Sequence, residues 1–220
     1  MNINHHLDEA TLMSYSAGSL SQGMALVVAA HLSYCSECRE RARLSDAVGG
    51  VLLESLEEQS VADDMLASIL SQLDQSPPDL ADQQPVRTPP SFIDPEIPAP
   101  LREYVDGSLD QLPWKRIVPG VAYYDMPWEG RGVSRLLRIA PGKSMLTHTH
   151  HGNELTLVLR GSFSDEVGRF QVGDIADLDD QIEHQPLVDS QEDCICLIAT
   201  DAPLRFTTLF GKLVQPMTGF

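Results

Sequence analysis

Along the first third of the chain apolar residues return every three or four positions. Along the last half they come in short runs cut by Gly, Pro and Asp, so the pattern predicts helices followed by strands. Asp8 is a good N-cap, and a first helix is expected from there to Ala17, where Gly18 supplies a stop. Ser19 and Gln22 have capping-box spacing, and the apolar run Met24 to Leu32 carries a second helix toward Cys35. A third helix is expected over Glu40 to Glu57, strained at Gly49-Gly50. A fourth is expected over Val61 to Leu73, where Met65, Leu66, Ile69, Leu70 and Leu73 form one apolar stripe.

Between Ser76 and Pro100 fall 8 of the chain's 15 prolines, and their missing amide donors disfavour both helix and sheet interior, so this stretch reads as an extended linker. Beyond it VAYYDM, SRLLRIA, ELTLVLRG, FQVGDIADL and DCICLIAT read as strands joined by tight turns, the signature of a sandwich or barrel. The expected architecture is therefore an all-α domain of about four helices over residues 1–75, a linker over 76–100, and an all-β domain over 101–220. The linker is expected to leave the helical domain an independent unit.

A length of 220 residues, with 42% apolar and 21% charged residues, suits two small domains with a core in each. The opening MNINHHLDEA has no basic stretch followed by an apolar run, and Met24 to Leu32 is too short to cross a bilayer, so a cytoplasmic protein is expected. In that reducing compartment the 4 cysteines point to metal ligation, redox chemistry or core packing before structural disulfides. The net charge is -17, of which residues 1–75, with 11 acidic and 3 basic side chains, carry -8. That balance argues against direct nucleic-acid binding and favours a basic protein partner.

Two clusters of metal-ligating residues stand out. The first is His31-Leu-Ser-Tyr-Cys35-Ser-Glu-Cys38, an H-x3-C-x2-C spacing whose offsets of four and seven return to one face of a helix. Zinc takes four such ligands in a tetrahedron, and His5 or His6, at the mouth of the preceding helix, is placed to supply the fourth. The plainer alternative is two buried thiols beside a core histidine. Residues 1 to about 75 resemble the zinc anti-sigma domain, an early His followed by H-x3-C-x2-C, matched by His6, His31, Cys35 and Cys38. The resemblance, not the spacing, selects His6 over His5.

The second cluster lies in GKSMLTHTHHGNELTLVLRG, which reads G-x5-H-x-H-x3-E-x6-G from Gly142 to Gly161 and resembles the first motif of the cupin barrels at every anchor. Histidines two apart on a strand share a face, and Glu154 returns on the next strand to meet them. Gly173 and His184 occupy anchors of the second cupin motif, whereas Asp179, Gln181 and Val188 replace its Pro, Gly and Asn. The expected set is His148, His150, Glu154 and His184, three imidazoles and a carboxylate suited to zinc, manganese, iron or nickel, with His151 a bystander. Cys194 and Cys196 share one face of a strand that is apolar on both sides and read as core residues, too awkwardly placed for a disulfide with each other.

Together the two halves resemble the ChrR type of anti-sigma factor, a zinc anti-sigma domain joined to a cupin, over nearly the whole chain; HLSYCSECRERA, AVGG, ELTLVLRGSFSDE, DCICLIATDAPLRF and KLVQP carry the likeness. The resemblance implies that the helical domain binds an extracytoplasmic-function sigma factor and keeps it from core RNA polymerase. It also implies that the cupin mediates the response to singlet oxygen or related oxidative stress, and that the protein is a regulator and not an enzyme. The alternative is a cupin-type dioxygenase or isomerase with a helical oligomerisation arm, which would need an open coordination position lined by substrate-binding groups. A third reading is a zinc-stabilised adaptor for some other basic protein.

Overall fold

The computed structural model describes residues 2–73, 94–126, 133–145, 148–150, 152–179, 182–201 and 204–206, with the side chains of 148–150 and 204–206 outside the description. The chain opens with α1 (Glu9–Ser16), α2 (Gln22–Tyr34), α3 (Ser36–Glu54) and α4 (Met65–Leu73). The all-β half follows as β1 (Lys115–Val118), β2 (Val121–Asp125), β3 (Val133–Ile139), β4 (His148–His150), β5 (Glu154–Arg160), β6 (Ser162–Ser164), β7 (Arg169–Gln171), β8 (Ile175–Leu178), β9 (Leu187–Val188), β10 (Cys194–Thr200) and β11 (Leu204–Phe206). Six strands form the main sheet in the order β1-β2-β3-β10-β5-β8; β7-β6-β9 form a second sheet and β11-β4 a third, all antiparallel. The run FQVGDIADL, expected as one strand, is two, because Gly173 turns the chain between β7 and β8 with φ 89°.

The helix ends follow local chemistry. Asp8 accepts the amides of Ala10 and Thr11 and caps α1 as expected. The cap of α2 is Ser21 and not Ser19, because the Ser19 hydroxyl and amide are both spent on the carbonyl of Ser14 at the end of α1. The helix expected to carry His31, Cys35 and Cys38 on one face is broken at Cys35, whose φ of -99° and ψ of 110° are extended. α3 begins at once, at Ser36 and not Glu40, because the Cys35 thiol accepts the Cys38 amide and acts as its N-cap. α3 runs through Gly49-Gly50 without interruption, and α4 starts at Met65 and not Val61.

Strand alternation sorts the core of the β half into two faces. On β5, Leu155, Leu157 and Leu159 face one way and Val158 the other; on β10, Ile195, Leu197 and Ala199 oppose Cys194, Cys196 and Ile198. The first face is covered by helices: Leu7, Leu12, Val27 and Val28 share one core with Leu155, Leu157 and Leu197, and α2 lies across β5 and β10. Each such side chain contributes about 1.5–3 kcal/mol by burial. The expected independence of the helical half is therefore corrected for α1, α2 and the start of α3, which share their core with the sheet.

The end of the Pro-rich stretch is also packed. Ile97 is 1% exposed, Asp94 accepts the amides of Glu96 and Leu109, and Arg160 on β5 pairs with Glu96 and Asp110. Residues 74–93 lie outside the described residues. Next to Arg160, Gly161 turns the chain into β6 with φ 71°, where an added Cβ would sit 2.8 Å from the Ser190 hydroxyl.

Candidate metal centres

Four side chains converge where α2 meets α3. One ligand atom each from His6, His31, Cys35 and Cys38 lies within 4.8 Å of the others, a group that could hold a metal ion. The extended backbone at Cys35 makes this possible, since it turns the Cys35 thiol back over the first turn of α3, where Cys38 sits. His6 Nδ1 is 3.3 Å from Cys35 Sγ and 3.6 Å from Cys38 Sγ, while its Nε2 faces Glu37 at 3.6 Å. His5 is turned away: its Nε2 donates to the carbonyl of Arg169 and its ring lies 4.1 Å from that of Phe170.

The tautomer of His31 follows from its surroundings. Its Nδ1 lies 3.0 Å from the carbonyl oxygen of Gly173, which can only accept, so Nδ1 carries the proton and Nε2 the lone pair. That Nε2 is buried and has no hydrogen-bond partner among the described residues. Burial pushes the His31 pKa down to about 4 against the raising effect of the Gly173 hydrogen bond, so the ring is neutral at pH 7, as a ligand must be. Burial also pushes the Cys38 thiol up to about 11, so a metal must displace its proton. A buried, unpartnered imidazole nitrogen beside two buried sulfurs is a donor set that fits zinc.

The second centre lies on the other face of the main sheet. Glu154, at the start of β5, and His184, between β8 and β9, are buried and line one cavity of about 40 Å³ with Leu137, Phe163, Cys194 and Cys196. β4 is a strand, as its histidine spacing predicts, and pairs with β11 in a separate small sheet; the side chains of His148 and His150, and all of His151 and Gln181, lie outside the described residues. Glu154 accepts the Thr156 hydroxyl at 3.0 Å. His184 Nδ1 lies 2.9 Å from the Asp165 carboxylate, a partner that fixes the orientation of the ring. Burial opposes charge on His184, but the Asp165 hydrogen bond and the nearby Glu154 carboxylate outweigh it and hold its pKa above the ordinary value. Such a site attracts positive charge, whether proton or metal.

Cys194 and Cys196 are buried, with sulfurs 3.6 Å apart, and their mutual hydrogen bond together with burial holds the Cys196 thiol well above its usual pKa. They form part of the cavity wall, a place the reading of them as core residues did not supply. Asp165 was also missed. It sits in the β6–β7 turn, where it accepts the amides of Val167 and Gly168, and a lone Asp beside a turn glycine carries no sign of the histidine it meets from 19 residues away.

Helices that carry a His and Cys cluster, packed against antiparallel sheets with a buried His and Glu of their own, define a two-part protein with a cupin-type β half. Residues 104–203 match the family model described as the ChrR cupin-like domain. The anti-sigma-E factor ChrR of Cereibacter sphaeroides is 46% identical over 216 residues, 98% of each chain. The crystal structure of Rhodobacter sphaeroides SigE in complex with the anti-sigma ChrR superposes with a TM-score of 0.78 at 42% identity, covering 91% of this chain and 100% of that one. This chain belongs to the ChrR family of anti-sigma factors. Among the described residues no helix is long and apolar enough to cross a membrane.

Proposed function

We propose that this protein is a cytoplasmic anti-sigma factor that captures an extracytoplasmic-function sigma factor on α4 and the second half of α3. In this reading His6, His31, Cys35 and Cys38 bind a zinc ion that locks the α2–α3 junction. The barrel holds zinc, manganese, iron or nickel through His148, His150, Glu154 and His184 and governs release under singlet oxygen or related oxidative stress. Capture belongs to the helices of residues 1–75 and response to the barrel of residues 101–220, joined through 76–100. The relative aligned end to end is named as an anti-sigma factor, which favours regulation over catalysis in the barrel.

The observation that carries the reading is an apolar surface that stays uncovered among the described residues. α4 buries none of its residues, and Val51, Leu52 and Leu53 at the end of α3, with Leu56 just beyond it, are exposed as well. Patches of this kind mark interaction sites. From Leu44 to Leu73 the chain carries Asp46, Glu54, Glu57, Glu58, Asp63 and Asp64 and no Lys or Arg, which suits a partner with a basic rim.

The test uses Leu66 and Leu70, one turn apart on α4 and 68% and 52% exposed. The double variant Leu66→Glu/Leu70→Glu is expected to weaken sigma-factor binding at least about 100-fold, since two buried leucines are worth about 3–6 kcal/mol together. Metal content and melting temperature should stay at wild-type values. Undiminished binding by calorimetry would remove α4 from the capture surface.

A further inference from the structure

The N-terminal metal centre is held from outside the helical half. Residues 2–8, which carry His6, lie along β7, β8 and the turn between them. Gln171 Nε2 donates to the carbonyl of Asn2, the Ile175 amide donates to the carbonyl of His5, and the Asp8 amide donates to Asp177. The centre of this contact is Asp174, a carboxylate that is 0% exposed. Its Oδ1 accepts the amides of Asn4 at 2.7 Å and His5 at 3.1 Å, and its Oδ2 accepts the Gln171 amide at 3.0 Å. One residue earlier, the Gly173 carbonyl receives Nδ1–H of His31.

We propose that the β7–β8 turn positions the N-terminal metal ligands, with Asp174 placing His6 through the backbone of residues 4 and 5, and Gly173 aiming Nε2 of His31 at the two sulfurs. Two of the four ligands then depend on the barrel for orientation. A buried carboxylate is costly unless its acceptor positions are filled, and here three backbone amides fill them, two from the segment that leads into His6. The turn is anchored in the barrel in its own right: the Gly173 amide donates to the carbonyl of Val158 and the Val158 amide to that of Asp174, so it is a fixed support. The positive φ of Gly173 sets the direction of its carbonyl, which a side chain at that position would disturb. Partners that orient metal ligands typically change metal affinity 10–100-fold when removed.

This inference rests on the reading of His6, His31, Cys35 and Cys38 as a zinc site, and the experiment separates the two. Zinc affinity of the full-length protein is measured by chelator competition, and the thiolate-to-metal charge-transfer absorption is followed after cobalt substitution. The proposal expects Asp174→Ala to lower zinc affinity about tenfold and alter the cobalt spectrum. Asp174→Asn, whose amide oxygen can still accept from residues 4 and 5, should recover most of the loss. Asn4→Pro removes one donating amide from the helical side without touching the barrel, and is expected to act in the same direction as Asp174→Ala even where the latter disturbs the barrel. Wild-type affinity and spectrum in both Asp174→Ala and Asn4→Pro would overturn the proposal while leaving the zinc site in place. Absence of a thiolate–cobalt band in the wild type would overturn the zinc site itself, and the positioning role with it.

Discussion

Cys35→Ala and Cys38→Ser proteins are expected to lose the N-terminal zinc and the sigma factor together, with sigma affinity reduced by at least about 100-fold, or about 2.7 kcal/mol. Both sulfurs are buried, and Cys35 does more than offer a ligand: its thiol caps α3 at the Cys38 amide, and its extended backbone sets the angle between α2 and α3. That angle aims the far half of α3, and with it the apolar capture surface. In small zinc domains metal binding and folding are one event. The sheet beneath α2 supplies some of the missing stability through Leu155, Leu157 and Leu197, so the variants should remain folded in the barrel while α3 loses its direction. Metal analysis paired with a sigma-binding titration checks this. Full sigma binding by a protein without the zinc would contradict it.

The opposite pattern is expected for the barrel. Glu154→Gln and His184→Ala should leave the sigma factor bound in resting cells and block most of the rise in sigma-dependent promoter output under singlet oxygen, by tenfold or more. The reason lies in the two faces of β5 and β10. Glu154, Cys194 and Cys196 line the cavity, while alternate neighbours Leu155, Ile195 and Leu197 belong to the core shared with the helices. A resting variant keeps the helix-side core, so capture persists. A change at the cavity is one residue away from that core through a close-packed strand, which cannot absorb it without moving one side or the other. Release further requires that the oxidised barrel favour the free state, since a signal that acts equally on both states shifts neither. Normal release from variants that have lost the barrel metal would make the barrel a scaffold.

The cluster of His31, Cys35 and Cys38 was legible because ligand chemistry leaves short-range marks: H-x3-C-x2-C is read across one turn. His6 was separable from His5 only by resemblance. In the structure the choice turns on the long-range contact of His5 with Arg169 and Phe170, which no local pattern contains. The start of α3 at Ser36 was missed because a thiol is not among the usual capping residues, so the third helix was expected only from Glu40. The packing of residues 94–100 was hidden by their prolines, which exclude helix interior and sheet but not burial: Ile97 reaches the core while Asp94 and Glu96 satisfy their neighbours through side chains. The two-sided sheet was partly visible in the unbroken apolar run of DCICLIAT, though not which face met the helices.

The most direct test of the account is recovery of the tagged full-length chain from its host, with bound protein identified by mass spectrometry and metal counted per chain. The account predicts an extracytoplasmic-function sigma factor in one-to-one ratio with zinc in the thiolate site, and loss of that sigma factor from the Leu66→Glu/Leu70→Glu protein. A chain recovered without a sigma factor, though folded and carrying its zinc, would contradict it.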